Sequence, residues 1–223
     1  MKTSIALFVL FLAAWPVLGQ TDVAAERPAP KVTTPVLNED AGKACVVTGD
    51  AFSLVDQSVG TPPGEPRQYS IFLGKGWLAE KTMARKNQLS NLFGDPSLMD
   101  PALLTRLGWT SIYAAKSYKE HLVKEVDPIP DLRIQSILSS IVSDDPLAAP
   151  VGDNVYIIYL DPGLSPRLGT LVGNKHYVSY YNAVNIADGR LRYVVVPYEQ
   201  NPKTMASNAL SGMIAVVFEP SCS

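Results

Sequence analysis

The segment 154–163, Asn-Val-Tyr-Ile-Ile-Tyr-Leu-Asp-Pro-Gly, constrains the fold of this 223-residue chain more than any other. Between its asparagine and its aspartate runs an unbroken apolar and aromatic stretch without a charge, in residue types that favour extended backbone. A strand that leaves one face in water alternates polar with apolar positions, whereas a strand without polar positions needs cover on both faces. Asp161-Pro162-Gly163 then ends it in a turn. A sheet built around this strand requires layers above and below, and the sequence supplies helices to make them. Ile134, Ile137, Leu138, Ile141 and Val142 form one apolar stripe at helical spacing, bounded by Pro130-Asp131 and Asp144-Asp145-Pro146. Residues 202–217 read as a helix apolar nearly all round through Met205, Ala209, Leu210, Met213, Ile214 and Val217, as a buried helix would be.

The remaining patterns place strands at 44–47, 69–73, 111–118, 176–181 and 191–198, and helices at 81–93 and 101–107. Ala187-Asp188-Gly189 suits a hairpin turn between the last two strands. The order implies an α+β fold, a mixed central β-sheet packed with helices, as one domain over 69–223. Residues 20–68, punctuated by Pro28, Pro30, Pro35, Pro62, Pro63 and Pro66, read as an N-terminal arm with one short strand.

Residues 1–19 read as a signal peptide: Lys2, an apolar stretch broken by Pro16, and Val17-Leu18-Gly19 before a cut ahead of Gln20. The stretch is shorter than the roughly 20 residues a membrane span needs, so no transmembrane span is expected after cleavage. The protein is therefore expected to be secreted, extracellular or in the periplasm or cell envelope. There Cys45 and Cys222, the two cysteines of the chain, are expected to form a disulfide. A net charge of -2 and a pI of about 5.7 exclude the basic footprint of a nucleic-acid partner.

Catalytic signatures are sparse. His121 and His176 are the only histidines, and no His-Glu-x-x-His, Gly-x-Ser-x-Gly or phosphate-binding loop occurs. His121 could meet Glu120 or Glu125 in space. Asp144, Asp145 and Asp161 sit in turns, where aspartate commonly serves the backbone, and Gly74-Lys75-Gly76 reads as a turn. No catalytic residue, metal ligand or cofactor is assigned. Among the aromatics, Trp77, Tyr177 and Tyr180 are candidates for an exposed surface that stacks on a glycan or a protein, with core packing as the competing reading.

Five segments together carry a resemblance: Tyr69-Ser-Ile-Phe-Leu-Gly-Lys-Gly-Trp77, Asn154 through Gly163, Tyr180-Tyr-Asn-Ala183, Arg192-Tyr-Val-Val-Val-Pro-Tyr198, and a buried helix closed by Glu219-Pro220. In this order they resemble the secreted exordium-like (phosphate-induced protein) group and related bacterial extracytoplasmic proteins. Bacterial members of that group resemble zincin-type metallopeptidases. The resemblance implies a zincin-like fold in which Ser211 and Gly212 stand where the metal-binding helix would hold His and Glu, and Ala215 where it would hold a second acid. Tyr181 stands where a Tyr-His-Asn segment would hold histidine. With His176 these residues form the expected pseudo-site. The implied function is non-catalytic binding of an extracellular protein or glycan. The competing readings are a divergent metal-dependent peptidase or other extracellular hydrolase, and a carbohydrate-binding module.

Overall fold

The computed structural model describes residues 31–32, 36–38, 42–48, 67–90, 101–107, 119–145, 154–186 and 189–218. The fold is α+β with a mixed central sheet. Its strands are β1 (Lys31–Val32), β2 (Val36–Asn38), β3 (Gly42–Thr48), β4 (Arg67–Leu73), β5 (Lys119–His121), β7 (Asn154–Leu160), β10 (Ser179–Ile186) and β11 (Gly189–Val196). A small second sheet joins β6 (Ile129–Pro130), β8 (Pro166–Leu168) and β9 (Leu171–Val172). The helices are a 3-10 turn at Lys75–Leu78, α1 (Glu80–Ser90), α2 (Pro101–Arg106), α3 (Asp131–Asp144) and α4 (Pro202–Phe218).

The central order is β3-β10-β11-β7-β4-β5, with β1 and β2 both paired to β3. The β3, β10 and β11 pairings are antiparallel, and β11, β7, β4 and β5 run parallel. β7 lies between β11 and β4, the interior position its uncharged sequence demands. Side chains alternate between two cores, as the period of a strand dictates. Ile157 and Tyr159 join Phe72, Val194 and Val196 beneath α1, α2 and α4, whereas Tyr156, Ile158 and Leu160 join Ile71, Leu73 and Tyr193 beneath α3.

Both long helices follow from their sequence. α3 buries Ile134, Ile137, Leu138 and Val142, the expected stripe, against the sheet. α4 begins with Asn201 as its cap, whose Oδ1 accepts the Lys203 N–H at 2.9 Å, and with Pro202 at the first helical position, where a missing N–H costs nothing. Burial on nearly every side accounts for its almost wholly apolar sequence.

Three expectations shift. The strand placed at 176–181 begins at Ser179 and runs to Ile186, because residues 172–177 close a turn. Asn174 takes a left-handed φ of 62° there, and its N–H bonds the Tyr177 carbonyl at 2.9 Å. The strand placed at 191–198 spans Gly189–Val196 and stops before Pro197, which has no N–H to continue a ladder. The segment read as an arm supplies β3 to the central sheet, where Ala44 and Val46 enter one core and Cys45 and Val47 the other. The expected hairpin is present, with Ile186 paired to Gly189 and its two tip residues outside the described ones. The strand expected at 111–118, residues 1–19 and Cys222 also lie outside the described residues.

Candidate functional site

The residues carried by the resemblance do not converge on an opening. Ser211, Gly212 and Ala215 are buried in α4, facing the sheet side where Tyr181 also lies. Ser211 Oγ donates to the Ser207 carbonyl at 2.9 Å, the back-bond of a helical serine. Gly212 is a packing glycine: a Cβ there would overlap Val194 Cγ1 and stand 3.3 Å from Ser179 Oγ. His176 is exposed in the β9–β10 turn, where its Nδ1 accepts the Val172 N–H at 2.9 Å.

The aromatic candidates require correction, for none of the three offers a face to a ligand. Trp77 is 0% exposed, Tyr177 3% and Tyr180 0%. Each is buried because its polar atom finds a partner inside. Trp77 Nε1 donates to the Tyr159 carbonyl at 3.2 Å, and the indole packs edge-on against Phe72. Tyr177 Oη donates to the Pro166 carbonyl at 2.8 Å. Tyr180 Oη donates to Asp131 Oδ1 at 2.5 Å.

Asp131, marked in the sequence only as a helix start, anchors a buried polar cluster. It begins α3, is 0% exposed, and also accepts from Tyr193 Oη at 2.9 Å, Gln135 Nε2 at 2.9 Å and Asn182 Nδ2 at 3.0 Å. Burial raises its carboxyl above the usual range, against the four hydrogen bonds that favour the ionised form. The Tyr180 and Tyr193 hydroxyls are pushed well above their ordinary value, first by burial and then by the neighbouring carboxylate. The cluster joins α3 to β10 and β11 and has no route to solvent through Asp131 itself.

The turn acids separate. Asp145 accepts from Tyr69 Oη at 3.2 Å near the start of β4, and Asp144 is exposed. Asp161 stands at the other end of that strand, its N–H bonding the Leu73 carbonyl at 3.0 Å. These carboxylates therefore do not form a pair.

At the carboxyl ends of β4, β5 and β7 the chain opens into a cleft of about 570 Å³. After β4 the chain passes through α1 and α2 on one face to reach β5; after β5 it passes through α3 on the other face to reach β7, on the far side of β4. Loops leaving adjacent parallel strands toward opposite faces part, and such crevices are where open sheets bind ligands. Lys75 and Gly76 line the cleft from the loop after β4, Lys81 from α1, Lys124 and Glu125 from the loop after β5, and Asp161 to Leu164 from the loop after β7.

Both carboxylates of the cleft are committed to the protein. Asp161 is 4% exposed; Oδ2 accepts the Gly76 N–H and Oδ1 the Gly163 N–H at 2.7 Å. Glycine is required where this carboxylate presses on the loop, since a Cβ at Gly76 would stand 2.8 Å from Oδ2. Gly74 also has a φ of 113°, in the region that favours glycine. Glu125 accepts the forked guanidinium of Arg133 at 2.8 and 3.0 Å, and its Oε1 lies 3.0 Å from His121 Nε2. The Arg133 fork holds its carboxyl below the usual range, and His121 adds to the effect against a contrary contribution from burial. Sequence reasoning had paired His121 with Glu120 or Glu125; Glu120 instead pairs with Lys86. The cleft lysines escape a reading of the sequence because they come from separate places, the turn after β4, the start of α1 and the loop after β5. Their signal was indirect, in the loops that end two apolar strands.

Among the described residues no three His, Cys, Asp or Glu side chains converge as metal ligands would, and no helix is long and apolar enough to cross a membrane. The chain matches no family model, no curated protein and no solved structure.

Proposed function

We propose that this chain is an exported, non-catalytic binding protein of the secreted or cell-envelope type, resembling the exordium-like group, and that its ligand site is the cleft at the ends of β4, β5 and β7. One observation carries the reading. The cleft offers cations and backbone to a ligand while both of its carboxylates are tied up by the protein, Asp161 by two backbone N–H groups and Glu125 by Arg133 and His121. The cleft lining holds no serine, threonine, cysteine or histidine to act as nucleophile or base, and its two carboxylates already hold protein donors. The sealed packing of Ser211, Gly212 and Ala215 supports the same reading for the helix that would carry a peptidase motif.

The export signal at 1–19 and the pairing of Cys45 with Cys222 belong to the same proposal. Fragment mapping on the isotopically labelled mature protein tests it. Fragments are expected to shift the amides of Gly76, Glu125 and Gly163 and to be recovered unchanged after prolonged incubation. Conversion of a peptide or glycan substrate, lost in Glu125→Gln or Asp161→Asn, would replace this reading with an enzymatic one.

A further inference from the structure

Resting on the cleft as the binding site, we propose that its ligand is a small organic molecule with an oxyanion head, phosphoryl or carboxylate, on a compact apolar body. The charge pattern carries the argument. Lys75 from the loop after β4, Lys81 from α1 and Lys124 from the loop after β5 line one cleft, and among the described residues none has an ion-pair partner. Of the two acids that line the cleft, Glu125 is neutralised by the Arg133 fork, and Asp161, held by the Gly76 and Gly163 N–H groups, offsets one of the three charges, so the lining stays net positive. Three like charges around one concavity repel each other, and low-dielectric walls concentrate their field on whatever enters. An anion relieves that repulsion; a neutral or cationic ligand does not.

The shape of the site adds the rest. A volume of about 570 Å³ is too large for a bare inorganic ion and lies in the range of small-molecule sites. Ala79, Pro162 and Leu164 add apolar lining to the cleft. The Asp161 carboxylate fixes the two glycine-bearing loops before any ligand arrives, so little ordering opposes binding. The site is thus a preformed cradle with both charged and apolar lining.

Phenyl phosphate, benzoate and their neutral counterpart benzyl alcohol separate the outcomes, titrated into the labelled full mature chain at low salt. Either anion is expected to bind saturably, to shift the Gly76, Lys124 and Gly163 amides, and to weaken as salt is added. Lys81→Glu with Lys124→Glu turns two attractions into repulsions and should weaken it roughly tenfold, whereas Lys175→Glu, exposed in the turn before β10, should not. Benzyl alcohol binding at the same amides as tightly as the anions would overturn the oxyanion inference and leave the cleft as the binding site. Absence of any cleft shift with all three probes would overturn both. Anion binding that survives the double reversal would also overturn the inference, and amide spectra of the variants show directly whether their fold is intact.

Discussion

Asp131 places a carboxylate where water cannot reach it and surrounds it with four donors, from Tyr180, Tyr193, Asn182 and Gln135. Truncation to alanine strands those donors in the core, so Asp131→Ala should cost about 3–5 kcal/mol, measured by urea unfolding. The pH dependence has a definite sign. Burial raises the native carboxyl above its unfolded value of about 3.9, so the native state holds the proton more tightly. The stability this gives is fully present below the unfolded pKa and is lost as pH rises through the native one. Asp131→Asn has no such titration, and its amide would set a donor against Asn182, whose own oxygen is held by the Ala183 N–H at 2.8 Å and cannot turn to accept. The stability gap between the natural protein and Asp131→Asn should therefore widen as pH is lowered toward about 4. A gap that does not change with pH would mean the carboxyl titrates at its unfolded value. Glu125 acts in the opposite sense. The Arg133 fork depresses its native pKa, so its contribution is present above the unfolded value and is lost only as pH falls below that window.

Helix α4 against the sheet isolates a different effect, close approach. A glycine inside a helix is worth about 1 kcal/mol less than alanine, so on propensity alone Gly212→Ala would stabilise. The added methyl would overlap Val194 on β11, and forcing atoms into a packed core costs about 1–3 kcal/mol. Gly212→Ala should therefore lower the midpoint of thermal unfolding, while Gly169→Ala, with nothing within 4 Å of the new Cβ, should show only the strain of a left-handed residue. This contrast also explains what the sequence could reveal. The interior strand β7 and the helices α3 and α4 were legible because their apolar periodicity is set by the layers they pack between. The start of β10 was not, since His-Tyr-Val-Ser-Tyr-Tyr has strand-like residues throughout and the left-handed Asn174 that ends the turn leaves no periodic mark. Between a stacking surface and core packing for Trp77, Tyr177 and Tyr180 the sequence left the choice open for a related reason. Their polar partners, the Tyr159 carbonyl, the Pro166 carbonyl and Asp131, are brought to them by the fold from distant parts of the chain. The cleft stayed hidden because nothing in the sequence set β5 beside β4, and Lys124 joins Lys75 and Lys81 only through that pairing.

β3 and α4, far apart in sequence, share the core on one side of the sheet. β3, from the Pro-rich segment, pairs with β10 so that Cys45 stands opposite Tyr181 and enters the core that α4 covers. α4 ends at Phe218, which packs against that same core, and Cys222 follows four positions later in the sequence. Four residues span at most about 14 Å, which is the reach a bridge from Cys222 to this core would have to work within. No described cysteine is free. A bridge to Cys222 would tie β3, which comes from the Pro-rich segment, to the last helix packed on that sheet. It would also shorten the unfolded chain's reach over most of its length, which is where such a bond does its stabilising. The mature protein, denatured without reductant and treated with iodoacetamide, is expected to take up no label, and to take up two after reduction. The double variant Cys45→Ala, Cys222→Ala should lose about 2–5 kcal/mol and loosen β3 before the interior strands, visible as faster amide exchange at residues 44–47 than at 155–160. Labelling of Cys222 without reduction would show the tie to be absent, and β3 would then be held by its pairing with β10 and its buried side chains alone.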